Sequence, residues 1–183
     1  YATTKNNTMK YAPINTDLFR LNRRRFTSQM KPNSIAIFQS NDLMPRNGDQ
    51  SFPFRQNSGL FSLCGLDQEE TVLVLFPNCV KEGFHEIAFI KKTNNFIATW
   101  EGHKYTKEEA KEISGIQKIF WLEDMENIMH ELVLLAENIY VNNNENDRYI
   151  TDIPSRDLRH TKYLQTRYPA HNYNRSQPIL KKM

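Results

Sequence analysis

The side chains that most often perform acid–base, nucleophilic or metal chemistry are scattered along this sequence of 183 residues. No HExxH motif links its five histidines, and neither Cys64 nor Cys79 belongs to a CxxC pair. No GxSxG elbow presents a serine, so nucleophilic catalysis would need Cys64 to meet a distant histidine in the fold. We therefore predict neither a zinc site nor a catalytic nucleophile. The histidines are His85, His103, His130, His160 and His171.

The glycines and the paired acids also lack a spacing typical of catalysis. The six glycines are never closer than six positions apart, so neither a dinucleotide fingerprint nor a phosphate-binding loop can be written. Adjacent acids at Glu69–Glu70, Glu108–Glu109 and Glu123–Asp124 lie near predicted helix starts, where the helix dipole favours negative charge. A metal-dependent nuclease would need three or four acids at one strand edge, and the spacing offers no such set. No catalytic or metal-ligating residue is predicted in this chain.

One polar stretch indicates binding rather than catalysis. Residues 46–65 read RNGDQSFPFRQNSGLFSLCG and combine two arginines, an aspartate and a Gln-Asn-Ser run. So many hydrogen-bond donors and acceptors in one loop predict a binding role.

The charges that surround this stretch are unevenly distributed. Residues 1–31 carry a net charge of +6, residues 32–147 carry −9, and residues 148–183 carry +6. Basic ends could contact nucleic acid, but an acidic centre would repel its phosphates. We prefer the interpretation that the basic ends complement acidic surface on the same protein or on a missing part of it, and we predict no nucleic-acid partner.

The apolar pattern argues against a membrane protein. Even the longest uninterrupted apolar runs, such as Val72–Phe76, are far shorter than a bilayer span, and no charged-then-apolar leader opens the chain. With only two cysteines, we expect reduced thiols in a cytoplasmic protein, and a single disulfide is the alternative.

Alternating hydrophobic periods predict the elements that would hold the polar stretch. Helices are expected from an N-cap at Thr16 to before Pro32, from a Thr106–Glu109 capping box to Gly115, and along the apolar stripe from Met125 to Leu135. Residues 1–15 are predicted to be a flexible lead-in, and 151–183 a connector outside the core, despite a possible helix at 155–168. Strands are predicted at Ser34–Gln39, Leu60–Cys64, Thr71–Phe76, Glu86–Lys92, Lys118–Leu122 and Asn138–Val141. This alternation predicts an α/β sandwich with a largely parallel or mixed sheet.

The polar stretch resembles the N-terminal domain of the Xaa-Pro aminopeptidases, or aminopeptidase P, of the creatinase/prolidase superfamily. The family pattern is R-x-x-D-x-x-[YF]-x-[FY]-R-Q-x-S, and residues 46–58 match it in order. The likeness covers about residues 17–150, and it departs from the family at Gly59, Ser62 and His103. It includes Arg23–Arg25, Met30–Pro32, Leu66–Glu69, Trp100–Lys104 and the helix that starts at Thr106.

The resemblance implies a three-layer αβα sandwich with a ribonuclease H-like motif over residues 16–150. In the family, catalysis belongs to a C-terminal pita-bread domain whose two Asp, one His and two Glu hold two divalent ions, typically manganese. None of those ligands is expected here, so residues 151–183 would lead toward a missing catalytic domain. The parent protein would release an N-terminal residue that precedes proline, and this fragment alone would be inactive even with manganese.

The resemblance also implies roles for individual residues. The domain would restrict access to the catalytic cleft and support a homodimer or homotetramer, with Asp49 and Trp100 as gating or interface candidates. The structural alternatives are an aromatic plug for Trp100 and a loop-locking hydrogen bond for Asp49. Arg46, Arg55, Gln56 and Ser58 would organise the loop. A different function remains open: a stand-alone module with the same fold that binds peptides or histones without peptidase activity.

Overall fold

A mixed six-stranded sheet forms the centre of the computed structural model, which describes residues 14–92, 102–148 and 152–183. Its strands are β1 (Ser34–Gln39), β4 (Val72–Leu75), β5 (Glu86–Ile90), β6 (Lys118–Trp121), β7 (Asn138–Val141) and β8 (Asn172–Arg175). A separate hairpin pairs β2 (Pro45–Asn47) with β3 (Gln50–Ser51).

Six α-helices accompany the strands in the described residues. They are α1 (Thr16–Thr27), α2 (Ser58–Cys64), α3 (Lys107–Ser114), α4 (Met125–Leu135), α5 (Arg156–Arg167) and α6 (Gln177–Leu180). A 3-10 turn, Leu122–Asp124, precedes α4. No helix among these residues has the length and apolar character needed to cross a membrane.

The sheet has the order β6-β5-β4-β1-β7-β8. The pairs β1–β4 and β4–β5 are antiparallel, whereas β5–β6, β1–β7 and β7–β8 are parallel. Helices pack on both faces, so the predicted α/β architecture with a mixed, largely parallel sheet is confirmed.

The central strand β1 shows why helices must cover both faces of the sheet. All six of its residues are buried, and alternate side chains enter different cores because successive residues point to opposite faces. Ala36 and Phe38 pack in one core, together with α2 residues such as Leu60. Ile35 and Ile37 pack in the other core, together with α4 residues such as Leu132.

The first helix begins one residue earlier than predicted. Asn15, not Thr16, is the N-cap, because its side-chain oxygen accepts a hydrogen bond from the Asp17 amide at 2.9 Å. The Thr16 hydroxyl instead donates to the Glu112 carbonyl at 2.9 Å, which ties α1 to α3. The helix ends at Thr27, before Pro32, as expected.

The predicted strand at Leu60–Cys64 is wrong, because these residues lie in α2. Asn57 caps the helix by accepting from the amides of Gly59 and Leu60, and Gly65 ends it with a positive φ of 70°. Leu60, Leu63 and Cys64 then share one buried face. A short apolar run fits a buried strand and a buried helix equally well, so its periodicity alone could not decide.

Residues 152–183 belong to the folded core, and the expectation that they lie outside it is wrong. Strand β8 pairs with β7 as the sixth strand, and Leu164, Tyr168 and Ile179 are buried. Pro154 and Pro169, which made a connector the expectation, flank α5 without interrupting it. Pro178 occupies the first turn of α6, where proline is tolerated. That this segment also leads toward another domain stays a prediction. Of the expected lead-in, residues 1–13 lie outside the described residues.

Arg23 joins four elements through one fully buried guanidinium group. Its Nε donates to Glu86 Oε2 on β5 at 2.8 Å. Its Nη1 donates to the carbonyls of Leu63 at 2.8 Å and Ser114 at 2.9 Å. Those carbonyls lie in the last turns of α2 and α3, so a cation satisfies two helix C-termini at once.

Candidate functional site

A groove of about 1060 Å³ opens between the β2–β3 hairpin, the start of α2, the start of α5 and the C-terminal residues. The ends of β1 and β7 lead into its floor through Ser40 and Asn142. Segments that are distant in sequence therefore enclose one surface, and the polar stretch of residues 46–65 contributes one side of it.

Asp157 is the buried carboxyl group of this groove, with only 8% of its surface exposed. Its Oδ1 accepts a hydrogen bond from the backbone N–H of Gln39 at 3.2 Å, and its Oδ2 accepts one from Asn57 Nδ2 at 3.3 Å. Burial raises the pKa of Asp157 to about 8, because an ionised carboxylate is costly away from water. The Gln39 amide and the nearby Arg156 charge lower that pKa only in part, and Asp42 raises it further.

Asn57 connects this carboxyl group to the rest of the floor. Besides capping α2, its Oδ1 accepts from Asn142 Nδ2 at 3.3 Å. Asn142 Oδ1 in turn accepts from Gln177 Nε2 at 2.9 Å. A chain of neutral amides thus joins α2, the end of β7 and α6 to Asp157, so the floor is held by hydrogen bonds between four elements.

Two cationic side chains close to Asp157 in sequence are engaged by other partners. Arg156 turns its Nε to Gln39 Oε1 at 3.1 Å instead of to Asp157. Arg159 forms an ion pair with Asp42, with Nη2 and Oδ1 2.6 Å apart. Asp157 therefore has hydrogen-bond donors but no directly paired cation among the described residues.

The rim of the groove is apolar and exposed. Met44, Phe52 and Ile153 line it, with 46%, 53% and 62% of their surfaces accessible. The Phe52 amide donates to the Met44 carbonyl at 2.9 Å, which holds these two residues side by side at the base of the hairpin. The Arg46 guanidinium lies 6.0 Å from the centre of the Phe52 ring.

A second network anchors the polar stretch to segments far along the chain. Gln56 is buried, and its Nε2 donates to the carbonyls of Leu66 and Gln68, both at 2.9 Å. Gln68 Oε1 accepts from the Tyr105 amide at 2.7 Å. These contacts bring residues 56, 66–68 and 105 into one unit.

An ion pair extends this unit. Lys104 binds Glu69, and both side chains are largely buried. The pair adds a charged contact between residues 69 and 104 to this unit.

Comparison with known proteins decides the family. The model of the aminopeptidase P N-terminal domain matches residues 19–140, which is well over half of the chain. The chain belongs to the aminopeptidase P N-terminal domain family. It is 25% identical over 129 residues to an Xaa-Pro aminopeptidase of Haemophilus influenzae and 24% identical over 127 residues to that of Escherichia coli.

Those relatives are much longer than this chain. The matched part is 70% of this chain but 30% of the Haemophilus protein, and 69% of this chain but 29% of the Escherichia coli protein. A solved structure from Bacillus anthracis, provisionally assigned as an aminopeptidase P, superposes with a TM-score of 0.81 at 23% identity. It covers 92% of this chain and 40% of its own, and this likeness bears on the fold.

The residues predicted from the aminopeptidase P pattern lie in different environments. Arg46 and Asp49 are exposed on the hairpin, where Gly48 supplies the positive φ of 57° that the turn requires. Arg55 and Ser58 line the groove, and the Arg55 carbonyl accepts from Asn41 Nδ2 at 3.0 Å. Gln56 lies behind the groove in the anchoring network. The polar stretch thus has an exposed tip, a groove side and a buried base.

Trp100, the other candidate predicted from the aminopeptidase P pattern, lies outside the described residues. Its role in gating or at an interface stays a prediction.

Sequence reasoning missed the floor of the groove. Asp157 and Asn142 were not singled out, although Asp157 is one of only two acids in the basic segment of residues 148–183. A lone carboxylate in the first turn of a basic helix, two residues after the N-cap Ser155, was the available signal. For Asn142, in an asparagine-rich run, the sequence held no comparable signal.

Proposed function

We propose that this chain is the non-catalytic N-terminal domain of an Xaa-Pro aminopeptidase. In this proposal, a C-terminal half releases the residue that precedes proline, and this domain restricts access to the active site and supports oligomer assembly. The observation that carries the proposal is the family match over residues 19–140 in a chain that spans only 30% of its Haemophilus relative. Its partners would be that catalytic half, further copies in a homodimer or homotetramer, and peptides with proline at the second position.

The metal ions of the reaction are assigned to the catalytic half. We propose that two divalent ions, both manganese, activate water and stabilise the developing oxyanion in that half. Within residues 14–92, 102–148 and 152–183, no three His, Cys, Asp or Glu side chains gather as a metal site would require. These residues do not fit a two-metal centre, and no catalytic step is derived from them.

The hairpin residues are the candidates for gating. Asp49 stands exposed next to the turn, so its carboxylate is available to a substrate amine or to an arginine of another chain. Trp100 remains the second candidate, as a flat apolar wall for a proline ring. Arg46, Arg55, Gln56 and Ser58 are proposed to organise the loop, and the hydrogen bonds of Gln56 support this role most directly.

We also propose a cytoplasmic location. Both cysteines are free and buried, and burial raises the pKa of Cys64 to about 12, which favours an unreactive thiol. Free thiols of this kind are compatible with a reducing compartment.

A stand-alone module that binds peptides or histones is the second candidate. The open groove with its exposed apolar rim favours it, since such patches often mark binding surfaces. The acidic segment of residues 32–147 would also suit a basic partner.

The test compares the full-length product of the reading frame with this chain alone, on an Xaa-Pro peptide with and without manganese. We expect metal-dependent release by the full-length protein and none by the chain. Asp49→Ala in the full-length protein should lower kcat/KM about tenfold, as for one lost hydrogen bond to a charged group. Asp124→Ala, at an exposed aspartate of the 3-10 turn, is the matched control. An inactive full-length protein would favour the binding module.

A further inference from the structure

The rim of the groove exposes an unusual amount of apolar surface. Met44, Phe52 and Ile153 each expose about half or more of their surface, and Leu43 adds a neighbouring apolar side chain at 48%. Three of these four line the same groove, so the patch is continuous with a cavity rather than scattered over the surface. Contiguous exposed apolar surface beside a cavity is typical of a protein interface.

The floor beneath this rim has unused hydrogen-bonding capacity. The Ser40 hydroxyl is buried, lines the groove and has no partner among the described residues. Each oxygen of Asp157 accepts one hydrogen bond within the described residues, and a carboxyl group can form further hydrogen bonds beyond these two. A surface that combines an apolar rim with unused hydrogen-bonding groups inside is suited to a partner with apolar side chains and a polar group that can pair with them.

The C-terminal residues form a wall of the same groove. Leu180, Lys181 and Met183 line it, and Leu180 packs so closely on α2 that a Cβ added at Gly59 would lie 3.0 Å from its Cδ1. Any polypeptide that continues from Met183 therefore leaves the domain beside the groove. The relatives are about three times as long as the part matched here, so such a continuation has the length to form a partner domain.

The charges at the edge suggest the chemistry of the partner surface. Arg55, Arg156 and Lys181 line the groove, whereas Asp42 is already paired with Arg159. A complementary surface would be apolar at its centre and acidic where it meets these cations.

We propose that this groove is the docking surface for the catalytic half of the same chain. The inference rests on the proposed function, because it assumes that a catalytic half follows Met183. In the docked state, apolar side chains of that half cover Met44, Phe52 and Ile153, and a polar group from it forms hydrogen bonds with Asp157 and Ser40. The groove thereby fixes the position of this domain relative to the active site.

The experiment is hydroxyl-radical footprinting of the full-length protein, read residue by residue by mass spectrometry. We expect Met44 and Phe52 to lose their oxidation and to react as slowly as the fully buried Phe38. Leu134 and Val80, which are 59% and 83% exposed and do not line the groove, should stay reactive as controls. Oxidation of Met44 and Phe52 at the rate of such exposed side chains would overturn the proposal.

Two variants of the full-length protein identify the contact. Phe52→Ser should restore the oxidation of Met44, because it removes the central apolar contact of the rim. Leu134→Ser, an equally exposed leucine on α4, should leave Met44 protected. Protection of Met44 that survives Phe52→Ser would show that the rim is not the contact, and the proposal would fail.

The same samples separate this inference from the proposed function and from self-association. Protection that disappears when sedimentation shows a monomer would identify a second copy as the occupant and overturn the proposal. A protected groove in a protein without peptidase activity would support the docking surface and reject the proposed function. An active enzyme whose groove residues are oxidised at the rate of exposed side chains would support the proposed function and reject the docking surface.

Discussion

Asp157 illustrates how the position of one carboxyl group can make stability depend on pH. The charges that surround it are those of Arg156, which bonds Gln39, and of Asp42, which is paired with Arg159. Among the described residues no cation pairs with it directly, so its burial raises the pKa from the ordinary value of 3.8 to about 8. Because the folded state binds this proton more tightly than the unfolded state, Asp157 favours folding at low pH. Its contribution is complete below about pH 4 and is lost as the pH rises through 8.

The substitution Asp157→Asn should remove this pH dependence. The asparagine keeps a carbonyl acceptor for the Gln39 amide but cannot ionise. Relative to the unsubstituted chain, the variant should gain stability between pH 5 and pH 8, by on the order of a few kcal/mol. Urea unfolding at the two pH values measures the difference, and parallel changes in both proteins would contradict the assignment.

His160 provides an internal reference for that experiment. Burial lowers its pKa from 6.5 to about 4, so its neutral form is favoured in the folded state. Its contribution to stability is present above pH 6.5 and is lost as the pH falls through 4. This loss of stability at low pH should persist in the Asp157→Asn variant. Protonation of His160 opposes folding, whereas protonation of Asp157 favours it, so the two effects can be told apart.

At the scale of elements, Arg23 holds α1, α2, α3 and β5 together through one side chain. Arg23→Met should cost about 3 kcal/mol, since it leaves the carbonyls of Leu63 and Ser114 without their donor and Glu86 without its partner. The exposed Arg24→Met is the matched control and should change stability little. Chemical denaturation of both variants checks the prediction, which a similar loss in each would refute.

Local chemistry explains which elements could be predicted from the sequence. The Thr106 hydroxyl accepts from the Glu109 amide at 3.1 Å, and Glu109 Oε2 accepts from the Thr106 amide at 2.8 Å. This capping box depends on residues three positions apart, so the sequence contains all of it. The short apolar run of α2 has no such local signature, because its helical state depends on what it packs against.

In the candidate site, too, the features that depend on neighbouring residues could be predicted and those that depend on packing could not. The polar stretch around Gln56 could be recognised, because its residues are adjacent in sequence. The groove floor could not, because Asp157 meets the Gln39 amide across 118 positions of sequence. Only the packing of α5 beside β1 brings them together, and no local pattern encodes that packing.

At the scale of the molecule, the folded unit extends beyond the family match at residue 140. A chain that ends at residue 150 would lose α5, β8 and α6, and with them the buried Leu164, Tyr168 and Ile179. It would also expose the edge of β7. We expect this truncated chain to lose cooperative unfolding and to self-associate, as measured by urea titration and sedimentation. Unfolding at the same urea concentration as the 183-residue chain would contradict this expectation.

The sheet order has a consequence for how the protein is made. Strand β1 leaves the ribosome well before its neighbours β4 and β7, which begin at residues 72 and 138. Contacts so distant in sequence form slowly, because long loops must close before any pairing stabilises them. The apolar strand β1 must therefore wait for most of the domain to be translated. During that interval it is the segment most exposed to aggregation and to capture by chaperones.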